Sequence, residues 1–387
     1  MRTLIKSRIC PSLLGLLIAH AWCTPAATQE RTLLQRPSLS EDILHSGVPI
    51  DDNGRETYNA GWTLAVDNDL LSFSDRDFDY TGGVALTFAG RRAQQWPISL
   101  DPIAAWLDPL VPRERGDAAY ARLHALQVGL IAFTPDDLNN PLPIADDRPY
   151  ASMLFLANSR THLTGADRPV YETSFTLGVL GLDLAKAVHR SLHQVLDQRE
   201  VPEGWDHQIS DGGEPTARFV WARQQLLAAN IGSHPGFELK WRSEVSLGYL
   251  TEASVALSGR WGRINTPWWS FTPDRADYAP QPSLAIGAQG FDDSRELYLW
   301  GGVKLRARAY NVFLQGQFRE SEVEVAAGRV ERLIGEAWLG VAWQPMRDLR
   351  LGYVVRYQTR EIKDGPASRG LLWAGVVVTR DFGHADR

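Results

Sequence analysis

From Gly61 onward, apolar and polar residues alternate with a period of two. This is the repeat of a strand whose successive side chains point to opposite faces. Phe237, Leu239, Trp241, Val245, Leu247 and Tyr249 share one side of such a segment, with Glu238, Lys240, Arg242, Glu244 and Ser246 on the other. Leu297, Leu299, Val303 and Leu305 likewise oppose Tyr298, Trp300, Lys304 and Arg306, and the stretch Leu349 to Arg360 repeats the pattern. The alternation predicts about twelve strands, near residues 61–69, 80–90, 123–134, 149–163, 170–181, 216–230, 236–249, 251–262, 296–310, 332–344, 348–360 and 370–382.

Alternation alone fits both a soluble sandwich and a membrane barrel. Strand length favours the barrel, because these segments exceed the roughly 5 to 6 residues usual in globular proteins and reach the ~9 to 11 that cross an outer membrane at a tilt. The chain is rich in aromatics, with 14 Trp, many near strand ends where interfacial girdles sit. The last strand ends in Phe382. The expected fold is all-β, a transmembrane antiparallel up-and-down barrel of about twelve strands with both termini in the periplasm. The connections 91–121 and 263–295 then become unusually long periplasmic segments.

One stretch breaks the period. Leu184, Val188, Leu192, Val195 and Leu196 recur at three- and four-residue steps, the spacing of one helix face. His189 and His193 lie four apart beside that stripe, Asp197 and Glu200 follow, and Pro202 and Gly204 end the helix. The topology puts this helix in an extracellular loop. Taken alone, it reads as a surface helix packed by its leucines.

Residues 1–27 carry Arg2, Lys6 and Arg8 ahead of an apolar stretch and then small residues, the build of a secretory signal peptide cleaved after Ala21 or Ala26. Trp22 before Cys23 argues against lipidation. Residues 28–59 read as a polar extension, 60–382 as the barrel and 383–387 as a tail. Cys10 goes with the signal, and Cys23 with it when cleavage follows Ala26, so no intramolecular disulfide is expected. A formal charge of −6 gives no basic face for nucleic acid. After the signal, no run approaches the ~18 to 20 apolar residues of a membrane helix.

Candidate chemistry gathers at the outer rim. The first strand ends in Asp67-Asn68-Asp69, the second opens with Asp79-Tyr80-Thr81-Gly82-Gly83, and Asp147-Arg148-Pro149-Tyr150-Ala151 opens the fourth. Singly, each reads as turn chemistry or as an ion pair steadying a loop. Arg148 also suits an anionic head group. Parity sets a puzzle: Asn68 alternates with Trp62, Leu64 and Val66 on the lipid side, whereas Thr81 alternates with Gly83, Ala85 and Thr87 on the lumenal side. A bulge or a twist at the rim is needed to bring the two together.

Asn68-Asp69, the YTGG at Tyr80, the DRPYA at Asp147, and a helical His followed by P-x-G-W-D-x-Q from Pro202 to Gln208 occur in this order, and the ordered set resembles the outer-membrane lipid A 3′-O-deacylase family over roughly residues 60–382. The resemblance implies a monomeric twelve-stranded barrel in the bacterial outer membrane that removes the 3′ acyloxyacyl chain of lipid A in lipopolysaccharide. It implies a Ca²⁺-dependent hydrolysis similar to that of phospholipase A2. Carried over by position, the catalytic histidine falls on His193, the helix-end glutamate on Glu200, the Asn-Asp pair on Asn68 and Asp69, and the rim threonine on Thr81. Asp69 is the metal-ligand candidate, with Arg148 and Tyr80 as candidates for substrate contact. This sequence has one residue more between His193 and Trp205 than is usual in the family, and five residues follow Phe382.

In the implied mechanism His193 takes a proton from water, Glu200 orients the ring, and Ca²⁺ at the Asn68-Asp69 corner offsets the oxyanion. Two other chemistries compete: a covalent route with Thr81 as nucleophile, and a zinc pair at His189 and His193. A rival of another class is a passive barrel or porin, in which these residues are structural. His189 is expected to be an exposed residue at the helix edge whose removal leaves most activity.

Overall fold

The computed structural model describes residues 55–72, 79–108, 121–164, 168–195, 202–230, 235–271, 273–280 and 295–382, with the side chains of the 183–195 helix described as far as Ser191. The signal peptide, most of the 28–59 extension and the tail from 383 lie outside these residues. Twelve antiparallel strands close into one barrel. They are β1 (Gly61–Asn68), β2 (Asp79–Ala89), β3 (Ala121–Thr134), β4 (Ala151–Leu163), β5 (Val170–Leu180), β6 (Glu214–Asn230), β7 (Gly236–Gly248), β8 (Leu250–Arg263), β9 (Leu297–Asn311), β10 (Leu333–Met346), β11 (Leu349–Gln358) and β12 (Leu371–Asp381). Each pairs with its neighbours in sequence, and β1 closes against β12 from Gly61 opposite Asp381 to Asn68 opposite Ala374.

Burial decides between sandwich and barrel, because it runs opposite to a soluble protein. On β7 the charged row Glu238, Lys240, Arg242 and Glu244 is buried, while Phe237 and Leu247 are exposed. Leu299, Val303, Leu339 and Trp343 are exposed on β9 and β10, where Lys304, Arg306 and Glu336 are buried. The outer face is therefore made for an apolar solvent, and the charges pair across the lumen: Arg242 with Glu172 and Glu244, Arg306 with Glu336, Arg308 with Glu252. The two-residue connection 347–348 lies at the end where β1 begins and β12 finishes. Apart from the one-residue β7–β8 turn, the connections at the other end are longer, which assigns the long-looped end to the outside.

The two long inner connections are not loose periplasmic loops. The described part of the second, residues 264–280, turns back into the lumen. Gln224 Nε2 donates to the carbonyl of Trp269 at 3.3 Å, Lys240 Nζ to that of Phe271, Lys304 Nζ to that of Asp274 at 3.1 Å, and Arg356 to that of Pro273 at 2.6 Å. The segment ends in a tight ladder of 276–277 with 279–280. At its tip, Tyr278 packs between Tyr80, Phe133 and Phe313 under the outer rim. This plug carries no alternating pattern of its own, so nothing in its sequence separated it from an external loop. The first long connection contains helices α1 (Arg92–Gln95) and α2 (Asp101–Leu107), which pack on the outer wall of β3 to β5.

Candidate active site

Helix α3 (Asp183–Val195) follows β5. It seats on the outer wall of the barrel near the rim rather than over the mouth. Ala185 joins Leu130, Leu138, Tyr150 and Trp205 in a buried cluster against which Ala132 and Leu154 pack, and Leu130, Ala132 and Leu154 all lie on the outward side of β3 and β4 by register. The two described residues of the predicted stripe are not on the face turned to the wall. Leu184 and Val188 are exposed, while Ala185 and His189 are buried. An apolar stripe finds the core when the solvent is water; beside a barrel whose outer face is apolar, that preference lapses.

The segment that follows α3 ties it down. Trp205 is fully buried, packs against Tyr150 with the ring centres 4.8 Å apart and the planes tilted by 56°, and donates its indole N–H to Nδ1 of His189 at 3.3 Å. Lys186 pairs with Asp206, and Arg190 Nε donates to the Pro202 carbonyl at 3.3 Å. Glu203 N donates to Leu138 O at 2.9 Å, Ile209 N to Tyr150 O at 2.8 Å, and Ser152 Oγ to the Gln208 side chain at 2.8 Å. The Gly204, Trp205, Asp206 and Gln208 of the P-x-G-W-D-x-Q run are thus the clamp between helix and wall. A Cβ at Gly204 would stand 2.6 Å from the Tyr150 ring, so glycine is required for that approach.

Asn68 and Thr81 meet, and a bulge is the reason. Between Asp79 and Gly82 the register of β2 against β3 slips by one residue, so that Asp79 faces Thr134 and Gly82 faces Ala132. Tyr80 stays inside, ringed by Phe133, Tyr278 and Trp373. Thr81 passes to the outer side, where its hydroxyl lies 2.7 Å from that of Thr134. Asn68 Nδ2 donates to the Thr81 carbonyl, and its Oδ1 accepts from Leu70 N at 2.8 Å. Gly82, at φ +151°, makes this possible: a Cβ there would lie 2.6 Å from the Asp67 carbonyl and 3.3 Å from Asn68 Nδ2. Asp69, buried, accepts from Leu70 N at 2.9 Å through Oδ1 and opens the short turn Leu70–Ser72. Tyr353 Oη, projecting from β11, donates to the Leu71 carbonyl at 2.8 Å.

Asn68, Asp69 and Thr81 therefore stand together at one corner. Position 193 lies in α3, one turn beyond His189; its side chain, and the whole of Glu200, lie outside the described residues. Tyr80 and Arg148 depart from the expected contact with substrate. Tyr80 is 1 % exposed and directed into the lumen. Arg148 is 2 % exposed, bonded to Asp79 at 3.3 Å and Glu361 at 2.5 Å, and lies 5.5 Å from the Phe133 ring centre. Its charge is already matched by two carboxylates, and its burial keeps it away from a lipid phosphate on the outer wall. Burial alone would raise the Glu361 carboxyl, but Arg148 and Arg308 hold it down to about 2. Thr134, Trp205, Tyr278 and Glu361 complete this architecture from distant sequence positions, and of these only Trp205 stood in a motif.

Among the described residues, no three metal-binding side chains cluster. What the Asn68-Asp69 corner offers is hard oxygen: one carboxylate, one amide oxygen and adjoining carbonyls, the donor chemistry of Ca²⁺ rather than of zinc. His189 is ill-suited to a zinc pair, because its Nδ1 already accepts from Trp205.

A family model described as outer membrane protein LpxR matches residues 16–382. Among solved structures, the chain is similar to LpxR from Salmonella typhimurium, with a TM-score of 0.62 at 14% identity over 84% of this chain and 100% of that one. Weaker likenesses include the β-domain of the Bordetella autotransporter BrkA (TM-score 0.37, 9% identity, 84% of this chain and 100% of that one) and an outer membrane channel from Pseudomonas putida F1 (TM-score 0.37, 9% identity, 86% and 100%). No curated protein matches the chain. With the family match spanning nearly the whole sequence over a closed twelve-stranded barrel, the chain belongs to the LpxR family of outer membrane proteins.

Proposed function

We propose that this protein is an outer-membrane lipid A deacylase that hydrolyses the 3′-linked acyloxyacyl ester from the side of the barrel. The observation that carries the reading is that the Asn68–Thr81 corner and helix α3 both lie on the outer side of the wall, on the adjoining strands β1 to β4. A substrate held in the outer leaflet reaches such a site laterally, without passing through a lumen that the plug fills.

In this reading His193 accepts a proton from water as that water attacks the ester carbonyl, and Glu200 orients the ring and offsets the imidazolium charge. Asn68 fixes the bulge through the Thr81 carbonyl and so holds the corner rigid. Asp69, with Asn68 and adjoining backbone oxygens, would hold a Ca²⁺ ion, and the ion would supply a fixed positive charge to offset the developing oxyanion. The covalent route through Thr81 is less favoured, since the described partner of its hydroxyl is another hydroxyl, that of Thr134, rather than a base.

The test is His193→Ala in a host whose lipid A carries the 3′ chain, read by mass spectrometry of extracted lipid A. Loss of a general base costs ~10²- to 10⁴-fold in rate. The variant should remain a heat-modifiable, membrane-inserted barrel that no longer shortens lipid A, and wild-type activity in it would overturn the mechanism.

A further inference from the structure

The register of β3 to β5 places His124, Asn158, Arg160, His162 and Thr173 on the outward side of the wall, in the same rows as the exposed Val128, Leu177 and Val179. Left bare, these groups would face hydrocarbon, where unpaired polar and charged groups are costly. Residues 91–108 cover them. Asp101 accepts from Arg160 Nε at 2.7 Å and Nη2 at 2.6 Å. Asp108 accepts from Arg160 at 3.0 Å and from Thr173 at 2.9 Å. Asn158 Nδ2 donates to the Ala93 carbonyl at 3.0 Å, and its Oδ1 accepts from Leu100 N at 2.8 Å. His124 and Glu56 are 2.7 Å apart at the same patch.

Past the exposed Gln94 and Gln95, the polar side of the segment is spent on the wall, and what it presents outward is apolar. From Trp96 to Leu107 every exposed residue is uncharged and apolar: Pro97, Ile98, Pro102, Ile103, Ala105 and Trp106. Trp106 is 74% exposed and Ile98 57%. A segment bathed by the periplasm would turn charge outward; this one turns its charge inward. We propose that residues 91–108 form a foot embedded in the inner leaflet, with Ile98, Ile103 and Trp106 contacting phospholipid at the boundary between head groups and acyl chains. The occupant is lipid because the exposed face continues the apolar rows of Leu177 and Val179 on the strand that the foot packs against. An exposed Trp beside aliphatic residues is the composition of that boundary. The foot lets a wall with a polar outer patch sit in a membrane, and it does not depend on the hydrolase reading.

The experiment uses the full chain with Cys10 and Cys23 replaced by Ser, one new cysteine at Ala105→Cys, and a bimane label. The barrel is inserted in vesicles of phosphatidylcholine with or without chains brominated near the glycerol end, and insertion is checked by heat-modifiable mobility. Brominated lipid should quench most of the emission, and aqueous iodide little. In Arg160→Gln, which removes the latch to Asp101 and Asp108, the label should become accessible to iodide in the still-inserted barrel. Quenching by iodide but not by lipid in the parent protein would place the segment in the periplasm and overturn the proposal. Protection from both quenchers would overturn it equally, by showing a protein in the place assigned to lipid.

Discussion

Trp205 donates to Nδ1 of His189 at 3.3 Å, with the two rings edge-on at 86° and both residues buried. The contact joins the middle of α3 to the segment that returns to the barrel. It revises the reading of His189 as a dispensable residue at the helix edge. Replacing it with Ala leaves the indole N–H without this acceptor, at a cost of about 1–3 kcal/mol, and loosens the helix on which position 193 sits. His189→Ala is expected to lower deacylation about 10- to 100-fold, as small displacements of a catalytic group do, with no change in the pH at half-maximal rate. A variant as active as wild type would show that the clamp does not set helix position, and a shifted pH profile would give His189 a chemical role of its own.

The acidic corner gives a second expectation. If a divalent ion held near Asp69 stabilises the oxyanion, EDTA should abolish activity, Ca²⁺ should restore it, and Asp69→Asn should raise the Ca²⁺ concentration needed for half-maximal rate. Activity that survives chelation would turn attention back to Thr81 as nucleophile, and Thr81→Ala would then be inactive.

The strands were legible because a barrel in a membrane needs strict alternation, and the twelve predicted segments agree with the observed ones to within a few residues at most ends. The lumenal charges were legible as the polar side of that alternation, though not their pairings, since Glu172, Arg242 and Arg275 meet across three separate parts of the chain. At the site, parity alone put Asn68 and Thr81 on opposite faces; the one-residue slip that reunites them depends on the close approach of Gly82 to the Asp67 carbonyl, a tertiary fact. The helix was found, but Ala185 and His189 are buried where Leu184 and Val188 were expected to be, because the rule that apolar stripes are buried assumes water outside. That Arg148 pairs with Glu361 was not legible, because the two lie 213 residues apart.

Glu361 ties stability to acidity. Its folded carboxyl is depressed from 4.5 to about 2, so its contribution is fully present above pH 4.5 and is lost as pH falls toward 2. A shift of this size corresponds to roughly 3 kcal/mol at ~1.4 kcal/mol per unit. The temperature at which the folded band is lost on heat-modifiability gels should be flat near neutral pH and fall across that acid window. Glu361→Gln, which leaves Arg148 and Arg308 short of an anion, should lower it already at neutral pH, by the equivalent of about 3–5 kcal/mol for a broken buried pair. An unchanged transition in Glu361→Gln would mean that the cluster does not stabilise the rim.

The passive-pore rival is met most directly by the plug. Residues 264–280 cross the lumen with carbonyls clamped by Lys240, Lys304 and Arg356, and the Tyr278 hydroxyl at the tip accepts from Arg308 at 2.8 Å and from Asn311 at 3.0 Å. These bonds span several strands, so opening a path requires several to break together. The purified barrel in a planar bilayer should therefore show no steady conductance. Lys304→Ala with Arg356→Ala removes two of the carbonyl clamps, both made by lumenal side chains. In that variant brief openings should appear, and deacylation per inserted barrel should stay near wild type. Steady, ohmic channels in the wild-type protein would support the porin reading and contradict a lumen closed by its own chain. Openings accompanied by loss of deacylation would show instead that the plug braces the site from behind, through Tyr278 against Tyr80.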